Sequence, residues 1–252
     1  MNYKEIFDQR GQLYNDAHQF APRARHMESD AMLRWLEPVG GETILVVAAG
    51  GGFDAVCLEQ DVMPDAVSIL CVEPSTMFSD FIPDRFTVYN SPLEEIPLQD
   101  ESVDVVLNLA ALHHIEARDC VFDEWARLLK PGGRIVIGDV AAGSDNAAFL
   151  NEAVNAYTPG GHDGSFIESG YLTKEFHMRG FIDCKEALES YQWTFESEDE
   201  MVTFSRLIFG MVNAQPLQVA DAIRRYLNPQ ISVKTGEASY DWSLHFFKAY
   251  KS

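Results

Sequence analysis

Five short runs of apolar, β-branched residues occur in the first 140 positions, and helical patterns separate most of them. The runs cover residues 44–47, 67–72, 86–89, 103–109 and 134–140. Runs this apolar are typical of strands that are buried on both faces, as in a parallel sheet covered by helices. Strand, helix and strand at this spacing predict right-handed βαβ units and therefore a doubly wound α/β sheet.

The pattern changes after about residue 140. Segments 181–195 and 240–250 each contain an alternation of apolar and polar residues that predicts a strand. The full prediction is a single α/β domain over 1–252, with a mostly parallel seven-stranded sheet and a core over about 26–140. A helical lid would cover the carboxyl edge of the sheet, where open α/β sheets bind ligands. The predicted lid segments are about 1–25, 141–170 and 196–239.

Charge and cysteine content exclude several classes of function. Asp and Glu number 39 against 19 Lys and Arg, which gives a formal charge of −20. Phosphate backbones and anionic membranes repel such a chain, so neither nucleic acid nor a membrane is an expected partner. The four cysteines form no C-x-x-C pair, no histidine has the H-E-x-x-H spacing of a metal site, and the first residues lack an apolar signal segment. We therefore expect reduced thiols, no bound metal and a cytoplasmic location.

A glycine loop follows the first predicted strand, and an acid ends the second. Residues 48–52 read Ala-Ala-Gly-Gly-Gly and precede a helix. Glycine lets the backbone approach a ligand closely, and the start of the helix offers free N–H groups to an anion. Glu73, followed by Pro74, stands where an acid can accept hydrogen bonds from both hydroxyls of a ribose. Together these features predict a nucleoside ligand, with a tight turn and a surface acid as the purely structural alternatives.

Further motifs follow in a fixed order, and each of them alone is common. They are Leu93-Glu94-Glu95-Ile96-Pro97, Ser102-Val103-Asp104-Val105-Val106, Leu112-His113-His114 and Arg127-Leu128-Leu129-Lys130-Pro131-Gly132-Gly133. With the glycine loop and the acid, this order resembles the class I S-adenosylmethionine-dependent methyltransferases of the small-molecule, UbiE-like ("type 11") group. The resemblance covers roughly residues 42–140. It implies a Rossmann-like methyltransferase fold, a small-molecule substrate, S-adenosylmethionine as cofactor and S-adenosylhomocysteine as product.

The resemblance also implies roles in cofactor binding. The glycine loop would hold the methionine part of the cofactor, and Glu73 would hold the ribose. Met77 and Leu93 would lie against the adenine, whereas Asn108 and Leu109 would lie near the amino group. The implied cofactor-binding residues are Ala48, Ala49, Gly50, Gly52, Glu73, Pro74, Met77, Leu93, Asn108, Leu109 and Arg25.

Histidines are the candidate proton acceptors for catalysis. His113 and His114 follow the fourth strand, where the fold would place an imidazole near the transferred methyl group. A histidine titrates near neutrality and can take a proton from an attacking group. His162, in a loop flanked by glycines, is a further candidate, and Arg25 would pair with the carboxylate of the cofactor. For His113 and His114 the alternative is structural packing. For His162 it is a polar turn, and for Arg25 it is a surface ion pair.

Three positions depart from the family pattern and keep other functions open. Val46, Ala48 and Pro92 stand where the family usually has an acid, a glycine and an acid. A member of the same fold that binds the cofactor without transferring a methyl group is therefore one alternative. The loose G-x-G-x-x-A pattern over 50–55, with Glu73, also fits an NAD-dependent oxidoreductase. Aromatic residues near the lid predict a hydrophobic or aromatic acceptor, while its identity and the oligomeric state are left undetermined.

Overall fold

A computed structural model describes residues 3–62, 67–162 and 164–252. All the strands of these residues belong to one sheet. In chain order they are β1 (Thr43–Val47), β2 (Ser68–Val72), β3 (Thr87–Tyr89), β4 (Val103–Leu109), β5 (Leu129–Asp139), β6 (Phe181–Phe195), β7 (Gln230–Ile231) and β8 (Ala238–Lys251).

Helices precede, connect and follow these strands. A π-helical segment (Phe149–Val154) joins α6 to α7, and a 3₁₀ turn (Leu112–His114) follows β4. The α-helices are α1 (Tyr3–Phe20), α2 (His26–Leu36), α3 (Phe53–Asp61), α4 (Thr76–Ser79), α5 (Arg118–Leu128), α6 (Asp145–Ala148), α7 (Asn155–Tyr157), α8 (Tyr171–Met178), α9 (Glu198–Ile208) and α10 (Pro216–Tyr226).

The sheet confirms the predicted mostly parallel, doubly wound topology. Its order is β3-β2-β1-β4-β5-β8-β6, and strands β1 to β5 are parallel to one another. Strand β8 runs antiparallel between β5 and β6. Seven strands lie on this path, as expected, and the two-residue β7, which the sequence pattern did not predict, pairs with β8.

Apolar layers cover both faces of the parallel strands. Ile44 and Val46 of β1 belong to one buried cluster, whereas Leu45 and Val47 belong to the other. Successive side chains of a strand point to opposite faces, so a strand covered on both sides shows no polar alternation. This burial explains why the strands were visible in the sequence as continuous apolar runs.

The carboxyl ends of β1, β2, β4 and β5 meet at one edge of the sheet, and α1 lies against this edge. Helix α1 buries Tyr3, Ile6, Gly11, Asn15 and Ala17. It contacts α4 and α9. No helix in the described part of the chain is long and apolar enough to cross a membrane.

Candidate active site

The glycine loop forms a tight turn between β1 and α3. Gly50 and Gly52 have positive φ angles of 56° and 84°. Ala48 also lies in the left-handed region, with φ 55°, which costs a residue with a Cβ about 1–2 kcal/mol. The chain therefore keeps a turn suited to glycine even where the family's glycine is replaced by alanine.

Glu73 lies at the end of β2 and is fully buried. Its Oε2 accepts hydrogen bonds from the Gly50 N–H at 2.8 Å and from the Tyr3 hydroxyl at 2.9 Å. Its Oε1 accepts a hydrogen bond from the Ser75 N–H at 2.9 Å. Burial raises the pKa of Glu73 to about 7, although these three hydrogen bonds act in the opposite direction. The carboxylate thus connects the glycine loop, the start of α4 and helix α1.

Helix α1 fills the space in front of the glycine loop. The Phe7 ring stacks on Phe78 at a centroid distance of 4.9 Å. A Cβ built on Gly51 would lie 1.8 Å from Asn15 Oδ1, and one on Gly50 would lie 2.9 Å from Phe78 Cζ. Side chains from α1 and α4 therefore occupy the cradle that the glycines leave open. The sequence placed this segment in the lid but did not reveal the helix or its direct contact with the loop.

The other implied cofactor-binding residues differ in their surroundings. Leu93, Asn108 and Leu109 are buried, whereas the Met77 side chain is 51% exposed. Asn108 donates a hydrogen bond from Nδ2 to the Val47 carbonyl at 3.1 Å. Its Oδ1 is buried and has no hydrogen-bond partner among the described residues. A buried acceptor without a partner costs about 1–3 kcal/mol, so this atom is a candidate acceptor for a hydrogen bond from a ligand.

Arg25 is buried against protein groups. Its Nε donates to Glu28 Oε1 at 2.9 Å, and its Nη2 donates to the same oxygen. Its Nη1 donates to the Tyr14 hydroxyl at 2.7 Å and lies 3.0 Å from His18 Nε2. Glu28 is therefore its acidic partner in this structure, and the pairing with a cofactor carboxylate stays a prediction.

His113 is held by an acid that the sequence motifs did not reveal. His113 Nδ1 lies 2.6 Å from Asp139 Oδ1, and the His113 backbone N–H donates to Asp139 Oδ2 at 3.1 Å. Asp139 is fully buried at the end of β5, and β5 pairs with β4, which His113 follows. An acid at the carboxyl end of an apolar strand is the signal that would have pointed to Asp139. Since Nδ1 is engaged, the free nitrogen of His113 is Nε2.

The fold brings all three candidate histidines together. The ring centroids of His113 and His114 are 4.1 Å apart, and that of His162 lies 5.5 Å and 5.1 Å from them. Burial lowers the pKa of His162 to about 3 and that of His114 well below its usual range, so both rings are neutral at neutral pH. His162 and His113, 49 positions apart in the sequence, thus share one site. Asp163, which follows His162 in the sequence, lies outside the described residues.

The histidine cluster lines a cavity of about 80 Å³. Its lining is partly aromatic and includes Trp193, Phe209 and Trp242. Phe7 and Arg10 of α1 and the Arg25–Glu28 pair also line it. A separate open cleft of about 460 Å³ runs past Tyr3, Pro74 and Leu93. The edge of the sheet therefore offers a partly aromatic chamber lined by three imidazole rings and a cleft beside Tyr3 and Pro74.

Comparison with known proteins finds a family match over part of this site. The methyltransferase domain family matches residues 45–137. The arsenite methyltransferase of Halobacterium salinarum is 34% identical over 110 residues, which cover 40% of this chain and 27% of that protein. The 27-O-demethylrifamycin SV methyltransferase of Amycolatopsis mediterranei is 32% identical over 117 residues, which cover 44% of this chain and 43% of that protein. The matches thus span less than half the length of these two relatives.

Solved structures extend the likeness to the whole fold. The S-adenosylmethionine-dependent methyltransferase of Thermotoga maritima, described as a possible histamine N-methyltransferase, aligns over 100% of both chains with a TM-score of 0.64 and 17% identity. At this identity the likeness concerns the fold, whereas the family match rests on residues 45–137, which contain the glycine loop, Glu73 and both adjacent histidines. Residues 45–137 therefore match the methyltransferase domain family, in a fold shared with S-adenosylmethionine-dependent methyltransferases.

Proposed function

We propose that this protein transfers a methyl group from S-adenosylmethionine to a small, hydrophobic or aromatic acceptor that binds beside the histidine cluster. The observation that carries the proposal is the His113–Asp139 pair, which opens into an aromatic chamber at the same sheet edge as the glycine loop. An apolar pocket with a few convergent polar groups is the usual form of a small-molecule site. The cytoplasmic location and the single-domain organisation expected from the sequence stay predictions.

The residues at the sheet edge fit the cofactor. Asn108 Oδ1 is a buried acceptor without a partner, which suits an ammonium group. Glu73 already accepts a hydrogen bond from the Tyr3 hydroxyl, and a ribose hydroxyl is the same kind of donor. The N–H groups of the glycine loop would hold the methionine part. For all of these contacts to form, Tyr3 must release Glu73 and Asn15 must leave the cradle of the glycine loop.

This chain would catalyse the reaction by aligning the acceptor with the methyl group and by removing a proton from the acceptor. When bound, S-adenosylmethionine supplies an electrophilic methyl group for an in-line displacement. Trp193 and Trp242 would hold the acceptor and exclude water, and holding reactants in line supplies much of the acceleration in such reactions. Asp139 fixes the orientation of the His113 ring, so Nε2 would take the proton of an attacking hydroxyl or amine.

Calorimetric titration with S-adenosylmethionine and with S-adenosylhomocysteine tests the cofactor half of this proposal. We expect both to bind, and Glu73→Gln to weaken binding about 100-fold because charge-assisted hydrogen bonds to the ligand are lost. Glu168→Gln, on an exposed side chain, is the matched control and should leave the affinity unchanged. Absence of binding of both compounds to the wild-type protein would overturn the proposal.

Binding of S-adenosylhomocysteine is expected to depend on pH through Glu73. The pKa of this buried carboxyl is about 7 in the ligand-free structure, and the ionised form accepts hydrogen bonds from hydroxyl groups better. Below that pKa a proton must be released on binding, so the affinity falls by up to about tenfold for each pH unit. Calorimetry between about pH 6 and pH 8 measures this slope, which Glu73→Gln should abolish. A flat affinity in the wild-type protein over this range would contradict the role of Glu73.

A member of the fold that binds the cofactor without methyl transfer is the second candidate. Val46 is buried in the core where the family has an acid, and α1 occupies the cradle of the glycine loop. Incubation of the protein with S-adenosylmethionine and a broad panel of phenols, alcohols, amines and thiols distinguishes the two candidates. Cofactor binding without formation of S-adenosylhomocysteine would favour this second candidate.

A further inference from the structure

We propose that His113, His114 and His162 form a binding site for one divalent transition-metal ion of the zinc type, with an open coordination position toward the aromatic chamber. Each histidine offers one ring nitrogen, and the three nitrogens lie within 4.8 Å of one another. Nitrogens that bind one tetrahedral ion at about 2.0–2.1 Å lie somewhat closer together than this. Side-chain rotations that shorten these distances would therefore complete the site.

The groups behind the rings are those that orient metal-binding histidines. A histidine ligand usually gives its second ring nitrogen to a carboxylate or a carbonyl, which fixes the ring and raises its basicity. His113 Nδ1 meets Asp139 Oδ1 at 2.6 Å, and His162 Nδ1 meets Asn151 Oδ1 at 3.2 Å. For both rings the nitrogen left for an ion is therefore Nε2.

The donor set selects the class of ion. Three imidazoles without a carboxylate suit Zn²⁺, Cu²⁺, Ni²⁺ or Fe²⁺ and do not suit Mg²⁺ or Ca²⁺, which prefer oxygen ligands. Three histidines and one open position are a known arrangement of catalytic zinc. The rings of Phe7 and Phe166 lie against the cluster, at centroid distances of 5.4 Å from His114 and 5.6 Å from His113. These apolar walls limit the access of water to the ion.

The charged groups around the histidine cluster have opposite effects on a bound cation. Arg10 lies close enough to disfavour positive charge on His114 and His162, and its Nη2 donates to the Gly161 carbonyl. Asp139 brings a carboxylate directly behind His113. Because Arg10 belongs to α1, its repulsion decreases when α1 leaves the edge of the sheet.

This inference does not depend on the proposed methyl transfer, because the ligands and the ion need no cofactor. If both hold, the ion and the acceptor meet in the same chamber. His113 is then a ligand, and the ion, as a Lewis acid, lowers the pKa of an acceptor hydroxyl bound at its open position. In the metal-free protein His113 keeps the role of proton acceptor.

The test uses the full-length, tag-free protein after removal of metals by a chelator. Co²⁺ is added and followed by visible absorption, and Zn²⁺ binding is measured by calorimetry. We expect one ion per chain, a tetrahedral Co²⁺ spectrum, and paramagnetic shifts of the imidazole signals from three of the seven histidines. His114→Gln and His162→Gln should each weaken binding at least about tenfold.

Two control variants remove other donors for the same ions. His177→Gln and Cys120→Ser change exposed side chains, and both should bind Co²⁺ like the wild-type protein. The imidazole shifts are measured on the wild-type protein, so they decide the question even if a variant fails to fold. Absence of saturable one-to-one binding, or shifts outside this cluster, would overturn the metal site. Co²⁺ binding without cofactor binding would instead overturn only the proposed methyl transfer.

Discussion

Replacing Arg25 with alanine is expected to lower the free energy of unfolding by about 3–5 kcal/mol. Arg25 and Glu28 are 3% and 1% exposed, so the variant would leave a carboxylate buried without its counter-ion. The guanidinium also lies 5.0 Å from the Phe53 ring and 5.3 Å from the Trp193 ring, and these contacts are lost as well. Thermal unfolding measures the effect, with a decrease in Tm of roughly 10 °C.

Two further variants separate this ion pair from general effects of a lost arginine. Arg23 is exposed two positions earlier, and Arg23→Ala should stay within about 0.5 kcal/mol of the wild type. Adding Glu28→Gln to Arg25→Ala removes the isolated charge and should recover part of the stability. A loss below about 1 kcal/mol in Arg25→Ala would show that the buried pair does not stabilise the fold.

Replacing His113 with asparagine is expected to slow methyl transfer by about 10²–10⁴-fold. The variant removes the nitrogen that faces the chamber, and Asp139 keeps the backbone N–H donors of His113 and Val140. The loss follows whether His113 takes the proton itself or binds an ion that acidifies the acceptor. Formation of S-adenosylhomocysteine with a reactive acceptor from the panel measures the rate.

The affinity of the His113→Asn variant for S-adenosylhomocysteine tests whether its cofactor site is intact. We expect this affinity to change little, since the hydrogen bonds of the His113 ring and backbone N–H go to Asp139. His177→Asn, on the exposed face of α8, should keep the full rate. An undiminished rate in His113→Asn would assign the imidazole a purely structural role.

Buried parallel strands were the part of the fold most open to prediction from the sequence. The predicted 44–47 and 103–109 correspond to β1 and β4 as observed, because burial on both faces demands unbroken apolar runs. Strand β6 was predicted over 181–195 and is observed over Phe181–Phe195, although the alternation of apolar and polar residues is confined to 191–195. As an edge strand it exposes most of its first half, so its polar side chains carry no strand signal.

The site was predictable where residues are adjacent in sequence and hidden where the fold joins distant segments. Glu73 lies beside the glycine loop, as the order of strands implied. Its pairing with Tyr3, 70 positions earlier, depends on where α1 packs. The hydrogen bonds of Tyr191 and Trp193 to Glu28 likewise join segments more than 160 positions apart. Contacts of this kind arise from tertiary packing, and the local periodicity of a sequence does not predict them.

The position of α1 against the glycine loop has a consequence for how binding constants are interpreted. A ligand that fits only molecules whose α1 has moved away binds with its intrinsic Kd divided by the fraction of such molecules. If that fraction is about 1%, the apparent Kd is about 100-fold weaker than the sheet edge itself would give. The observed association rate would then level off at high ligand concentration, at the rate at which α1 moves. Modest affinity for the cofactor would in that case measure the stability of the Tyr3–Glu73 contact as much as the substitutions at Val46 and Ala48.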